Sequence, residues 1–179
     1  YKAHAEVPAY REYIKSHGGL PSIGLNGNLT PDLTSIPETD KKSYVQAYSI
    51  YDRLVFGRLP STGVTADESS GSSGTPTNWV RGRAERETVS RMMQLSFRQS
   101  VDQSRPTFIL NAFALGAWAT GINVSMSLVN TSNLKTIGPN IDKIVSTMLA
   151  FGPQNHYVVM GYPPFLKTLA DDPIRASLW

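Results

Sequence analysis

The chain contains no cysteine. That single absence excludes disulfides, thiolate zinc sites, iron–sulfur clusters and cysteine nucleophiles. Charge is scarce too. Asp, Glu, Lys and Arg make up 17% of the 179 residues, against about 25% in an ordinary soluble domain. The 17 basic and 14 acidic residues leave a net charge of +3, which excludes bulk electrostatic coating of nucleic acid and leaves room for a local basic surface. Histidine occurs only at His4, His17 and His156, none paired with another histidine or a carboxylate at ligand spacing, so no metal site is expected. Gly-x-Ser-x-Gly, Gly-x-Gly-x-x-Gly and phosphate-loop patterns are absent as well, and neither a cofactor nor an enzyme is expected. His17-Gly18-Gly19 has the look of an oxyanion loop without a serine partner, and helix termination is the simpler use of its glycines.

The ends are equally bare. The first twenty residues hold no apolar run of signal-peptide length. A start at Tyr1 instead of Met implies residues missing from this sequence. The Asn-x-Ser/Thr triplets at Asn28, Asn123 and Asn130 are what chance yields in a chain rich in these residues.

What is present reads as helices and loops. Val7 to His17 predicts a short helix with Pro8 in its first turn and Gly18-Gly19 as its stop. Residues 18–39, rich in Gly and Pro, predict an extended arm. Asp40 to Phe56 predicts a second helix, with Tyr44, Tyr48 and Tyr51 as an apolar stripe. Residues 57–78 predict a flexible loop centred on Ser69-Ser-Gly-Ser-Ser-Gly74. A long helix is expected from Asn78 to Gln103, another from Pro106 to Val129, a third from Pro139 to Gly152, and a last from Pro163 to Ala170. Asn155–Met160 fits either a strand or the start of a helix. The fold class expected is therefore mainly α, a bundle of five or six helices with a Gly/Pro-rich N-terminal arm and a flexible central loop. It divides into N-terminal helices and arm (1–57), loop (58–78) and helical core domain (79–179).

The segment 106–134 carries no charge at all. Phe108 to Val129 is long enough to cross a bilayer, but Asn111, Thr120, Asn123, Ser125 and Ser127 dilute it, so membrane contact is expected only indirectly, if at all. As a packed helix it places Ala112, Gly116 and Thr120 at spacings of four, with Gly121 beside them and Trp118 as bulk. Small residues on one face let a second helix approach closely. A helix apolar all round is buried all round, and one small core cannot hide it. Subunit packing through Ala112, Gly116, Thr120, Trp118 and Gly121 follows as the expectation.

Residues 81–105 hold six arginines, Arg81, Arg83, Arg86, Arg91, Arg98 and Arg105, against Glu85, Glu87 and Asp102. Guanidinium stays charged and grips phosphate with a two-pronged fork. At 100° per residue, Arg91, Arg98 and Arg105 fall within about 40° of one another. Val89, Met92, Met93 and Phe97 fall on roughly the opposite side. The pattern predicts a helix that docks by an apolar back and presents cations to a phosphate backbone, without sequence readout.

A cysteine-free, helical chain with Gly/Pro-rich arms, an apolar surplus and an arginine stripe resembles the major coat proteins of filamentous and rod-shaped archaeal DNA viruses. The resemblance spans roughly residues 40–179 and includes Gly138-Pro-Asn-Ile-Asp-Lys-Ile-Val145 with the apolar helix after it. It implies a self-assembling capsid protein of the virion, put together in the host cytoplasm. Its partners would be nucleic acid, duplex DNA before RNA, and a like coat subunit in a homo- or hetero-oligomer. Two alternatives stand beside it: a non-viral helical scaffold or partner-binding domain, and an enzyme with an unrecognised site.

Overall fold

The structure is a computed structural model that describes residues 2–28, 30–69, 76–102 and 104–171. The chain divides into two compact units, Tyr1–Val64 and Thr65–Trp179. The boundary falls inside the segment expected to be a loop.

The first unit is held together by short elements and side-chain caps. Helices α1 (Lys2–Glu6) and α2 (Pro8–Ser16) open it. Pro8 occupies the first turn of α2, where its missing N–H costs nothing. Ala9, Tyr13 and Ile14 bury the inner face of α2, and Ala9 N donates to Asp52 O at 2.9 Å. The helix expected over 40–56 is replaced by a single wide turn over Lys41–Val45, further turns, and one 3₁₀ turn at Val55–Gly57. Asp40 starts the wide turn as an N-cap: its carboxylate accepts the N–H groups of Lys42 and Ser43, both at 2.7 Å, which have no helical partner of their own. Phe56 has φ +57°, a left-handed conformation that no α-helix tolerates. The tyrosine stripe is partly used as expected. Tyr44 meets Tyr13 and Tyr48 with ring centroids 5.5 Å apart in each case, whereas Tyr51 is exposed.

The second unit overturns the mainly α expectation. It contains strands β1 (Thr65–Glu68) and β2 (Asn78–Arg81), paired antiparallel. It also contains β3 (Thr107–Asn111), β4 (Asn133–Thr136) and β5 (His156–Met160), a parallel sheet in the order β4-β3-β5. Between them run α3 (Arg83–Ser100), α4 (Ala119–Leu128), α5 (Ile141–Phe151) and α6 (Pro163–Asp171). This is a mixed α/β architecture in three layers.

Alternation along β3 builds both faces of the sheet. Phe108, Leu110 and Ala112 pack with Ile144 of α5 and Leu169 of α6. Ile109, pointing the other way, packs with Phe97 of α3 and with Val124 and Leu128 of α4. A strand covered on both faces reads as a continuous apolar run. That is why Thr107–Asn111 was indistinguishable from the start of an apolar helix.

The correction shortens two expected helices. Asn78–Arg81 is strand, so α3 begins at Arg83. Residues 106–118 are strand and loop, so α4 begins only at Ala119. The C-terminal expectations fared better. Asn140 caps α5 by accepting from Lys143 N, Gly152 ends it at φ +71°, and residues 156–160 form the strand alternative. Among the described residues, no helix is long and apolar enough to cross a membrane.

Candidate functional site

Strand β3 feeds β4 on one side of the sheet through α4, and the chain then crosses through α5 to β5 on the other side. The carboxyl ends of β3 and β5 therefore flank a point where the connections diverge, the position where open parallel sheets form a ligand crevice.

Asn111 ends β3 and organises this edge. It is fully buried. Its Nδ2 donates to Gly121 O at 2.7 Å and to Ser125 Oγ at 2.8 Å. Its Oδ1 accepts from Phe113 N at 3.2 Å. Its backbone oxygen receives the N–H groups of Ile137 and Gly138. One side chain thus ties β3 to α4, while its backbone holds the turn after β4. Ser125 Oγ and Thr136 Oγ1, 2.9 Å apart, close the same edge between α4 and β4.

The loop 112–118 folds back over α4. Gly116 has φ +97°, a conformation available to glycine at little cost. Gly121 faces Ala114 so closely that an added Cβ would lie 2.4 Å from the Ala114 carbonyl oxygen. The loop delivers Trp118 to the start of α4, in extended conformation and without a side-chain cap. The first N–H groups of α4 and the positive end of its dipole sit at this edge.

The β1–β2 hairpin joins the edge here. Glu68 forms a parallel bridge with Trp118, and Glu68 N donates to Ala117 O at 2.9 Å. The next residues, Ser69-Ser-Gly-Ser-Ser-Gly-Thr-Pro-Thr77, contain six hydroxyls and two glycines in nine positions. Residues 70–75 lie outside the described residues. Both ends of the connection are pinned: Ser69 N donates to Thr77 O and Thr77 N donates to Ser69 Oγ, each at 3.0 Å. Beneath it, buried Asp67 accepts from Arg81 Nε at 2.7 Å, and Asn123 Nδ2 of α4 approaches Asp67 at 3.5 Å. The hydrogen bond to Asp67, then that to Glu85, pushes the Arg81 pKa above its ordinary value.

The six predicted arginines are distributed as follows. Arg81 lies on β2, Arg83, Arg86, Arg91 and Arg98 on α3, and Arg105 between α3 and β3. Arg81, Arg83, Arg86 and Arg91 are brought together along one cleft of about 750 Å³ between α3 and α4. Arg98 and Arg105 lie outside it. Much of the cationic charge is already engaged. Arg81 pairs with Asp67 and Glu85, Arg83 pairs with Glu87 at 2.7 Å, and Arg91 Nε donates to Glu87 O. Arg105 reaches Pro153 O at 3.4 Å. The Arg83 hydrogen bond holds the Glu87 carboxyl below the usual carboxylate range.

The predicted packing residues do not share a helix face. Ala112 is buried in the sheet core, Gly116 is in the loop, Trp118 and Thr120 are exposed at the start of α4, and Gly121 packs on its own loop. The spacing of four was genuine in sequence but fell across a strand, a loop and a helix.

Asn111, Asp67 and the 69–77 connection were not singled out as site residues. The available signal for the last was its setting, a hydroxyl-rich Gly segment between Val64-Thr65-Ala66 and Trp79-Val80. No protein-family model matches the chain, and no curated protein matches it in sequence.

Proposed function

We propose that the second unit binds a phosphate-bearing small molecule of the nucleotide class at the carboxyl edge of its parallel sheet. The observation that carries this is the Glu68–Trp118 bridge. It brings Glu68, the last residue of β1, to the uncapped N-terminus of α4 and the β3/β5 divergence. Two supports for an anion then meet: open α/β sheets take ligands at that divergence, and helix N-termini attract phosphate. Exposed Trp118 and Tyr162 stand at the same edge, at the start of α4 and just after β5, and offer flat surfaces on which a base can stack.

Calorimetric titration with ATP, AMP and inorganic phosphate tests the reading, with Trp fluorescence as a second signal. Nucleotide is expected to bind more tightly than phosphate. Trp118→Ala with Tyr162→Ala changes two exposed side chains and is expected to weaken nucleotide binding about tenfold or more, roughly 1.4 kcal/mol, without unfolding the sheet. Absence of binding at millimolar ligand, or binding indifferent to the two alanines, overturns it.

The viral coat reading keeps one observation in its favour, the exposure of Arg83, Arg91, Arg98 and Arg105 along α3 and its exit. It would require random-sequence duplex binding that falls steeply with salt. The intramolecular acids that engage Arg81 and Arg83 favour the ligand site over it.

A further inference from the structure

Helices α3 and α4 close on each other where Ser90 Oγ and Gln94 Nε2 both donate to Ser127 O, at 3.3 and 2.8 Å. From there toward the first turn of each helix they leave a cleft of about 750 Å³, within the roughly 300–1,000 Å³ of small-molecule sites. Its wall carries the guanidiniums of Arg81, Arg83, Arg86 and Arg91 against the carboxylates of Glu85 and Glu87. Four positive charges less two negative leave a net of +2. Acids hold two of the four: Arg81 pairs with Asp67 and Glu85, and Arg83 with Glu87. Arg91 differs. Among the described residues its one hydrogen bond runs from Nε to the Glu87 backbone oxygen, at 3.4 Å, and both Nη groups of its fork remain available. Ser127 stands at the closed end of the cleft and is only 5% exposed. Its backbone oxygen takes the two bonds from α3, but its hydroxyl has no hydrogen-bond partner among the described residues. A buried hydroxyl left without a partner costs stability, so native folds keep one chiefly where something else satisfies it. Val89 and Met126 line the same cleft, and their exposure there gives the wall an apolar side.

We propose that this cleft binds a phosphate monoester with a small apolar body. Arg91 and the Ser127 hydroxyl hold the phosphate, and the body lies against Val89 and Met126. Charge selects the class. A phosphate monoester carries about −1.5 to −2 at neutral pH, which matches the net charge of the wall, whereas a single carboxylate carries about half as much. Geometry selects it too. The guanidinium fork grips two phosphate oxygens at once, and the third is left to accept the serine proton. The apolar wall then favours an ester over inorganic phosphate. Trp118 precedes Ser127 by nine positions, about 13.5 Å of helix. The phosphate end of the cleft is thus separate from the nucleotide edge and does not rest on that reading.

NMR titration of the full 179-residue chain with phenyl phosphate, inorganic phosphate and benzoate tests the proposal. Phenyl phosphate is expected to saturate below about ten millimolar, with the other two at least about tenfold weaker. Amide shifts should concentrate at 89–91 and 126–127. Arg91 is exposed, so Arg91→Gln keeps the fold by circular dichroism, and it weakens phenyl phosphate about tenfold or more. Ser127→Ala weakens it several-fold while the melting temperature holds or rises, because the hydroxyl removed has no partner within the protein. A purely structural serine gives the opposite pair of results. Trp118→Ala with Tyr162→Ala leaves phenyl phosphate affinity as it was, so a failure of nucleotide binding alone leaves this site standing. No saturation by ten millimolar, benzoate or inorganic phosphate binding as tightly, indifference to Arg91→Gln or to Ser127→Ala, or affinity lost with Trp118 and Tyr162 each overturn the proposal.

Discussion

The two units solve the same problem, satisfying a buried backbone, by different means. In the second unit three parallel strands exchange ladder hydrogen bonds, and helices bury Ile109, Leu110, Leu128 and Ile144 completely. In the first, the fully or nearly buried apolar residues are Ala9, Tyr13 and Ile14. Its backbone is instead held by local caps such as Asp40 and by long-range single bonds such as Tyr13 Oη to Glu38 O. A ladder distributes its support over many residues at once, whereas a cap supports one turn. The second unit can therefore carry a closely packed edge, with Gly121 against Ala114 and Asn111 serving three partners. The first unit has no comparable scaffold among its described residues.

Three changes put that contrast under stress. Ile109→Ala is expected to have the largest effect, a loss of about 3–4 kcal/mol from the cavity and lost transfer energy. Hydrogen exchange should then show protection collapsing across β3, β4 and β5 together, because one side chain supports the whole ladder. If only β3 loses protection, the sheet is not the cooperative unit described above. Gly121→Ala comes next, at about 2–3 kcal/mol, since the new methyl must displace the Ala114 backbone. Here the telling measurement is nucleotide affinity alongside stability. The loop that carries Trp118 should shift, so affinity should fall even below the unfolding temperature.

The smallest effect belongs to the first unit. Hydrogen bonds from Ser43 N, then from its hydroxyl, hold the Asp40 pKa below its ordinary value. A carboxyl with a depressed folded pKa stabilises above its unfolded pKa and loses that contribution as pH falls through the folded one. Asp40→Ala should therefore lower the melting temperature slightly at neutral pH. The difference from the unsubstituted chain should vanish in acid, below the ordinary carboxylate range. A difference that stays constant down to that pH would mean that the cap acts through shape and not through charge.

Much of the boundary chemistry was legible in both units. Gly152 ends α5, Gly18-Gly19 follow α2, and Pro163 opens α6, because caps and stops are local and written in residue type. The strands were not. Thr107–Asn111 is five residues long and apolar on both faces, and periodicity cannot separate such a run from a helix. Its identity depends on Ile109 meeting Leu134 on one side and Val158 on the other, partners 25 and 49 positions away. The arginine row on α3 was legible as a pattern, but its partners were only partly so. Glu87 lies four positions from both Arg83 and Arg91, so spacing alone does not choose between them, and its carboxylate pairs with Arg83. Asp67, fourteen positions before Arg81, was not foreseen as that arginine's partner.

By itself, the sequence determined the absence of thiol chemistry, the low and unevenly placed charge, and the ends of most helices. Each of these depends on a residue and its immediate neighbours. Tertiary structure alone decided that the apolar middle is a strand in a parallel sheet, that the strands on either side of the Gly/Ser/Thr segment pair with each other, and that β1 bridges to Trp118. Those outcomes require contacts between residues distant along the chain, whose loop-closure cost is repaid only when the whole sheet forms.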